Sequence, residues 1–179
     1  YWGYLSLHAK PLVLVNIEGY WDGLIAYLQS LPDYDARYLV VAQSVEEVFK
    51  LDLERHVPED FAPGYQDRYP HFEDEITRQT NAPIILDKAS IENSYYFVCA
   101  LGLKQLGKHN RPMGIVNEGG AFDGLLQWFH TAQKENFITD KCLGLFDEAS
   151  DLSSLYPLIE KQSKIQIDLH AEKWGKSEA

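Results

Sequence analysis

The chain has 179 residues, of which 45% are hydrophobic and 24% are charged. A chain of this length and composition buries a core and forms one domain or two small ones, which excludes disordered and collagen-like classes. Sixteen Lys and Arg against 27 Asp and Glu give a formal net charge of −11. Since phosphate backbones repel such a chain and it carries no basic patch, we expect no nucleic-acid polymer among its partners.

Membrane and metal-dependent classes are disfavoured by the patterning. No apolar run approaches the roughly 18 residues of a membrane span, and no charged segment leads into a signal-peptide core, so we expect no membrane partner. Cys99 and Cys142 lie in apolar segments and form no C-x-x-C pair, which is typical of free thiols in a reducing compartment and predicts a cytoplasmic location. The six histidines show no metal-binding spacing, so we expect neither a metal nor a cofactor.

The first unit, residues 1–53, alternates strand and helix patterns. Leu12–Val15 is a short apolar run after a proline, which predicts a buried parallel strand. The helix that follows has apolar residues at i, i+3, i+4 and i+7, namely Trp21, Leu24, Ile25 and Leu28. Tyr38–Ala42 predicts the next strand, and Ser44–Glu47 is a capping box that opens a further helix. We expect its apolar residues to face inward: Val45, Val48 and Phe49.

Residues 54–80 predict a linker, because they carry three prolines and ten charged residues, with a short helix from about His71. The second unit, residues 81–170, again alternates. In chain order its patterns predict a strand at Pro83–Leu86, a helix from about Asn93 to Leu106 that ends at Gly107, a strand at Met113–Val116, a helix with apolar Phe122, Leu125, Leu126 and Phe129, a strand at Cys142–Phe146, a helix at Ser154–Lys161 and an edge strand over 164–169.

The two units share sequence at a fixed offset. His8–Asn16 matches His109–Asn117 at a shift of 101 residues, and the shift holds as far as Leu24 and Leu125. We interpret this similarity as an internal duplication. Alternating strands and helices predict an α/β fold, in which a parallel sheet is flanked by helices.

Two stretches carry a family resemblance. They are Trp2-x-x-Leu5-x-x-His8-x-Lys10-Pro11 with Asn16-x-x-Gly19-Tyr20-Trp21-Asp22-x-Leu24, and Leu106-Gly107-x-His109-Asn110-Arg111-Pro112. Both resemble the second half of the LONELY GUY (LOG) family, whose members were long taken for lysine decarboxylases. The resemblance implies a Rossmann-like fold, a dimer, and hydrolysis of the N-glycosidic bond of nucleoside 5′-monophosphates, cytokinin ribotides among them.

The family's catalytic stretch is P-G-G-x-G-T-x-x-E. Its glycines let backbone N–H groups approach a 5′-phosphate, and its Glu stabilises the oxocarbenium-like transition state. The corresponding Leu86–Asn93 has no glycine, so we expect an inactive second unit. In the first unit the stretch would lie ahead of Tyr1, which leaves the catalytic residues unknown. Glu92 is a carboxylate in a comparable position; the alternative is a solvated Glu favoured by the helix dipole.

The loop after the first strand holds the candidates for substrate binding. Ligands of open α/β sheets lie beyond the carboxyl ends of the strands, where side chains can stack on a planar base and bond to it. The candidates are Asn16, Glu18, Gly19, Tyr20 and Trp21. The alternative is a plain turn, in which Gly19 supplies a positive φ, Asn16 bonds to the backbone and Trp21 packs in the core. His8 and His109 precede a proline in the same way, and we expect both to be structural.

The resemblance implies a part of a phosphoribohydrolase that acts on an AMP-like nucleoside monophosphate. The alternative is a non-catalytic module for dimerisation or nucleotide sensing. The first unit offers only two strands, so its apolar residues need cover. We therefore expect association with an upstream segment or a second LOG-like subunit, through the sheet edge and the Trp2/Tyr4 helix face.

Overall fold

A computed structural model of the chain describes residues 3, 5, 7–61, 72–78, 80–162, 164, 165, 167 and 168. Its strands and helices, in chain order, are β1 (Leu12–Val15), α1 (Asp22–Ser30), β2 (Leu39–Ala42), α2 (Val45–Val48), α3 (Phe72–Ile76), β3 (Ile84–Leu86), α4 (Ile91–Gln105), β4 (Met113–Val116), α5 (Asp123–Lys134), α6 (Asp140–Leu143), β5 (Asp147–Ala149) and α7 (Leu152–Glu160). None of the helices within these ranges is both long and apolar enough to cross a membrane.

The strands form two parallel sheets. In the first, β1 pairs with β2, so that Leu12 lies opposite Leu39. In the second, β4 is central between β3 and β5, with Met113 opposite Ile84. Helices pack against both sheets, since α4 contacts β3 and α7 contacts β4 and β5, while the short α2 contacts β1 and β2. The predicted α/β fold, with parallel strands flanked by helices in a Rossmann-like manner, is confirmed.

Helices α1 and α5 join the two units through a close crossing. A Cβ atom built on Gly23 would lie 2.7 Å from the carbonyl oxygen of Gly124, and one built on Gly124 would lie 2.6 Å from that of Gly23. Only a residue without a side chain lets two helix backbones approach so closely. The contact is reciprocal, because each helix offers the same position to the other.

Aromatic rings and a buried hydrogen bond surround this crossing. Trp21 stacks on Trp128 with ring centroids 5.6 Å apart, and Tyr27 packs on Phe122 at 5.9 Å. The Tyr27 hydroxyl also shares a 2.6 Å hydrogen bond with the hydroxyl of Ser94 on α4. Tyr27 and Phe122 belong to one buried apolar cluster, so a single core extends across both units.

The predicted strand at Cys142–Phe146 is wrong. Asp140–Leu143 forms helix α6, and strand β5 begins only at Asp147. A short apolar run fits either kind of element, and here Cys142 and Leu145, three residues apart, are the members that are buried. Polar Asp147 is accommodated in β5 because its carboxylate accepts a 2.6 Å hydrogen bond from the side chain of Gln162.

The predicted inward orientation of α2 holds for Val48, which is partly buried, but is wrong for the other two apolar residues. The capping box itself is present, since Ser44 Oγ accepts from the Glu47 N–H at 3.3 Å. Val45 and Phe49, however, are 50% and 85% exposed. The pattern presupposes an apolar surface for the helix to face, and a sheet of two strands offers little.

Other predicted elements differ slightly in their bounds from the structure, or lie partly outside the described residues. Helix α7 starts two residues before the predicted Ser154, because Asp151 caps it by accepting from the Ser154 N–H at 2.9 Å. The short helix expected near His71 is α3. Residues 164, 165, 167 and 168 are not in a strand, whereas 166 and 169 lie outside the described residues. The aromatic cluster Tyr1, Trp2 and Tyr4 also lies outside them.

Candidate functional site

The loop after β1 is wound around the side chain of Asn16. The backbone N–H of Asn16 donates to the carbonyl oxygen of Ala42 at 2.7 Å, and this hydrogen bond connects the loop to β2. Its Oδ1 accepts from the Trp21 N–H at 2.9 Å, and its Nδ2 donates to Oδ1 of Asp22 at 2.7 Å. Asn16 is buried, so its amide is used within the turn.

This turn places Glu18 at the rim in an uncommon backbone conformation. Glu18 has φ 52° and Gly19 has φ 73°, so two consecutive residues are left-handed. Glycine is favoured at position 19 because its φ lies in the left-handed region, and a Cβ atom there would also lie 2.5 Å from the carboxylate of Asp22. A non-glycine residue in this region is disfavoured by about 1 kcal/mol, and at Glu18 the result is an exposed carboxylate held outside the turn.

A polar cavity of about 380 Å³ lies beside this rim. Residues 17–20 form one wall, and Thr131, Lys134 and Glu135, at the end of α5, form the other. The cavity therefore carries two carboxylates and one ammonium group. Burial, and then the charge of Glu135, raise the pKa of the Tyr20 phenol above its ordinary value of 10.0. Its hydroxyl, protonated at neutral pH in either case, can donate a hydrogen bond.

An apolar cavity of about 250 Å³ shares Tyr20 with the polar one. Its walls come from α4, α5 and the segment before β5, and they include Leu101, Trp128, Phe129, Phe137, Leu143 and Phe146. The Tyr20 ring packs edge-on against Trp21, with centroids 4.7 Å apart, and lies 5.2 Å from the ring of Phe137. One aromatic side chain thus lines both a charged cleft and a hydrocarbon-lined one.

The structure brings together three of the five predicted binding residues. Glu18, Gly19 and Tyr20 line the polar cavity, whereas Asn16 and Trp21 support the loop from behind. The turn interpretation therefore describes Asn16 and Gly19 well. Thr131, Lys134 and Glu135 were missed, because the crossing of α1 and α5 brings them from the other unit and no local spacing indicates such a contact. They became identifiable only from the packing.

The second unit repeats the turn. Asn117 Oδ1 accepts from the Phe122 N–H at 2.9 Å, and Nδ2 donates to Oδ1 of Asp123 at 2.7 Å, as Asn16 does in the first loop. Nδ2 of Asn117 also donates to the Glu148 carboxylate at 3.0 Å. Gly119 and Gly120 supply the two positive φ angles, 62° and 78°. The same local sequence thus produces the same loop twice.

The N-terminus of α4, where the second unit would need its catalytic stretch, is occupied from within the chain. Ser90 caps the helix by accepting from the Asn93 N–H at 3.1 Å. Both carboxylate oxygens of Asp33, in the first unit, lie 3.0 Å from the Ile91 backbone nitrogen, whose N–H donates to them. Glu92 is exposed on the first turn and is not among the residues that line either cavity.

Substitution of Asp33 tests this contact between the units. Asp33→Ala removes an acceptor and a charge favoured by the helix dipole, so we expect the free energy of unfolding to fall by about 1 kcal/mol. Asp33→Asn keeps an oxygen acceptor without the charge and should lose less. Urea denaturation of the three proteins measures the series, and an unchanged Asp33→Ala protein would show that the contact contributes nothing.

Substitution of Asn16 tests the loop. Asn16→Ala leaves the partly buried Trp21 N–H without its acceptor, so we expect a loss of stability of about 1–2 kcal/mol. Asn117→Ala makes the same change in the second loop and is the matched control for ligand binding. We expect both variants to melt earlier, and only Asn16→Ala to alter binding at the polar cavity. If the two variants bind a ligand equally well, the first loop takes no part in binding it.

The histidines before β1 and β4 are structural, as predicted. His109 Nε2 lies 2.8 Å from the Ala100 carbonyl oxygen and donates to it, while Nδ1 accepts from the Arg111 N–H at 3.2 Å. Burial lowers the pKa of His109, which keeps the ring neutral. His8 Nδ1 likewise accepts from the Lys10 N–H at 3.2 Å. Across the described ranges, no group of three or more His, Cys, Asp or Glu side chains is placed to hold a metal ion.

The fold and the loop define an α/β protein with a cleft at the carboxyl ends of parallel strands. Over 76 residues the chain is 28% identical to the cytokinin riboside 5′-monophosphate phosphoribohydrolase LOG of Oryza sativa subsp. japonica, which covers 39% of this chain and 31% of that protein. Over 63 residues it is 29% identical to the probable cytokinin riboside 5′-monophosphate phosphoribohydrolase LOG6 of Arabidopsis thaliana, covering 32% of this chain and 31% of that protein.

A third relative is the probable cytokinin riboside 5′-monophosphate phosphoribohydrolase LOGL5 of Oryza sativa subsp. japonica, 32% identical over 62 residues, or 32% of this chain and 25% of that protein. The predicted resemblance to the LONELY GUY family is confirmed by these matches. The chain spans between a quarter and a third of the length of these curated relatives. No family model matches it, and no solved structure gives a significant match.

Proposed function

We propose that the chain is part of a nucleoside 5′-monophosphate phosphoribohydrolase, which hydrolyses the N-glycosidic bond and releases a free base and ribose 5-phosphate. The observation that carries the proposal is the loop at the polar cavity. Glu18 is held at φ 52° on the rim beside Tyr20, and relatives of this chain bear the name of that activity. The chain's function then lies in recognition of the base.

The two cavities suit an AMP-like nucleotide with an apolar substituent on its base. An adenine ring can stack on Tyr20, which lines both cavities, and the Glu18 carboxylate can accept a hydrogen bond from the exocyclic nitrogen. A hydrocarbon substituent on that nitrogen would then enter the apolar cavity of about 250 Å³. Asn16 and Trp21 act behind the loop as positioning residues.

The catalytic groups are supplied from outside the described residues in this proposal. The P-G-G-x-G-T-x-x-E stretch does not occur in the chain, and Leu86–Asn93 has no glycine in its place. An upstream segment or a second LOG-like subunit would bring the stretch to the first unit. The units 1–53 and 81–170 would be duplicated copies joined by residues 54–80, and the second copy would be inactive. The protein would lie in the reducing cytoplasm, where the thiols of Cys99 and Cys142 stay free.

The test uses the full-length gene product with AMP and with isopentenyladenosine monophosphate, and it measures free base and ribose 5-phosphate. We expect product from the wild-type protein. Glu18→Gln should raise KM. Glu118→Gln changes the carboxylate of the second loop, which stands at the position equivalent to Ile17, and should leave the kinetics unchanged. A well-folded full-length protein that forms no product would refute the enzymatic proposal. The 179 residues alone should be inactive.

A second candidate is a non-catalytic module for nucleotide sensing or dimerisation. It is favoured by the Asp33 carboxylate on the N-terminus of α4, where a phosphate would otherwise bind backbone N–H groups. Calorimetric titration of this chain with AMP distinguishes nucleotide sensing from dimerisation. Measurable binding supports sensing, and no heat of binding leaves dimerisation.

A further inference from the structure

The two units place equivalent residues in equivalent bonds, which allows a comparison position by position. At the shift of 101 residues, Asn16 corresponds to Asn117, and both make the same two side-chain hydrogen bonds at 2.9 and 2.7 Å. The backbone N–H of each also donates to the second strand of its sheet, Asn16 to Ala42 at 2.7 Å and Asn117 to Ala149 at 2.8 Å. Any difference in burial between the units therefore reports a difference in what covers them.

Burial differs between the units at the strand edge. Leu12 in β1 is 57% exposed, whereas Met113, its equivalent in β4, is fully buried. β4 has β3 on one side and β5 on the other, whereas among the described residues β1 pairs with β2 alone. Because β2 corresponds to β5, the edge of β1 that carries no strand among the described residues is the edge that β3 occupies on β4.

A cavity lies on the first unit where the second unit has a side chain of α4. It holds about 140 Å³ over the first sheet, and Leu12, Leu28 and Leu39 are among the residues that line it. Leu28 corresponds to Phe129 at the shift of 101 residues, and Leu39 corresponds to Phe146 by the pairing of β2 with β1 and of β5 with β4. The rings of Phe129 and Phe146 lie 5.6 Å apart. There Phe97 of α4 fills the space, with its ring 6.0 Å from Phe146 and 1% exposed.

An unused hydrogen-bond donor points to the same helix. Tyr27 on α1 bonds to Ser94 on α4 at 2.6 Å. Trp128 on α5 stands at the position equivalent to Tyr27, and its Nε1–H is buried without a hydrogen-bond partner among the described residues. A buried donor without an acceptor is costly, so an acceptor is expected at the place that Ser94 has in the second unit.

We propose that a strand–helix segment with the chemistry of β3 and α4 docks on the first unit. Its strand pairs parallel to the free edge of β1, and its helix places an apolar side chain in the 140 Å³ cavity and a polar acceptor at Trp128. The proposal rests on the duplication put forward above and deepens the expected association with an upstream segment. It does not depend on catalysis.

The register and the connection follow from the second unit. Ile84, Ile85 and Leu86 lie opposite Met113, Gly114 and Ile115, so the docked strand lies opposite Leu12, Val13 and Leu14. Residues 1–11 precede β1 just as residues 102–112 precede β4, so a copy of residues 81–101 placed before residue 1 keeps the spacing of the second unit. The connection therefore has the length that the second unit already uses.

A second copy of this chain does not meet these requirements. Its β3 is already paired with β4, and two β1 edges related by a two-fold axis would pair antiparallel. Such a dimer would leave the cavity lined by Leu12, Leu28 and Leu39 without a helix. The docked segment is therefore a different stretch of polypeptide.

The test copies residues 81–101 directly in front of Tyr1 and measures amide hydrogen exchange of β1 by mass spectrometry. Exchange in β1 should slow by about tenfold or more relative to the 179-residue chain, with the protein remaining monomeric. In the control, Ile84→Asp and Phe97→Asp are introduced into the copied segment alone, and exchange should return to that of the unextended chain. Leu12→Lys should be tolerated in the unextended chain and should abolish the protection in the extended one.

Other outcomes overturn the proposal. Equal exchange in the extended chain and its control shows that the copied segment does not dock. Protection of β1 in a dimer of the unextended chain shows that a second copy covers the edge. Should the extended chain fail to fold, a synthetic peptide of residues 81–101 added to the unextended chain replaces it, with the same two readings. No readout involves nucleotide hydrolysis, so failure of the proposed function leaves these results unaffected.

Discussion

Gly124→Ala will lower the free energy of unfolding by about 2–3 kcal/mol. The added methyl group would lie 2.6 Å from the Gly23 carbonyl oxygen, and a helix backbone cannot yield as a flexible side chain can. The two helices must therefore separate, which also loosens the flanking ring pairs. Alanine favours a helix over glycine by about 1 kcal/mol, but this gain does not offset the clash. Chemical denaturation at neutral pH measures the difference.

Gly102→Ala is the matched control for this prediction. Gly102 lies in α4, and a Cβ atom built on it meets nothing within 4 Å. The change should therefore stabilise the protein by about 0.5–1 kcal/mol through helix propensity alone. Gly23→Ala should reproduce the loss seen with Gly124→Ala, since the contact is reciprocal. Stabilisation by both substitutions at the crossing would contradict the packing of α1 on α5.

The contribution of Lys104 to stability will rise between pH 8 and about pH 10.5. This side chain is 5% exposed, and Nζ donates to the Leu145 carbonyl oxygen at 2.8 Å and to Gln162 Oε1 at 2.6 Å. Burial lowers its pKa from 10.5 to about 8, although the Asp147 charge opposes the shift. Above pH 8 the folded protein loses a proton that the unfolded chain keeps, so unfolding becomes less favourable.

The size and the measurement follow from this linkage. The difference between the pKa values of Lys104 in the folded and unfolded protein is equivalent to at most about 3 kcal/mol. Part of this increase in the free energy of unfolding occurs between pH 7.5 and 9.5. Lys104→Met removes the titrating group, so its free energy of unfolding should lack that rise. Comparison of the two proteins cancels Cys99 and the tyrosines, which titrate in both. Parallel curves for wild type and Lys104→Met would exclude Lys104 as the source.

Strands β1 and β4 could be predicted from the sequence to the residue, because each is an apolar run bounded by proline and asparagine. The run Cys142–Phe146 could not, since its apolar residues satisfy both a helical turn and a strand. The orientation of α2 failed for another reason: Val45 and Phe49 lack an adequate surface to face. Local pattern identifies an element but does not supply its neighbours.

The candidate site, like the fold, could be predicted from the sequence only in part. The loop with Glu18, Gly19 and Tyr20 was predictable, because it follows a strand and contains a glycine that the turn requires. The opposite wall was not, since Lys134 and Glu135 reach the cavity only through the crossing of two helices far apart in the chain. The occupation of the α4 N-terminus by Asp33 depends on the same tertiary contact.

The crossing of α1 and α5 has a consequence for dilution. A contact of this reciprocal kind between separate polypeptides would be lost as their concentration falls, and its melting temperature would depend on concentration. Here both helices belong to one polypeptide, so the chain that connects them fixes their effective concentration. Folding of the pair is therefore a first-order process, and the core that Gly23 and Gly124 hold together persists however scarce the protein is in the cell.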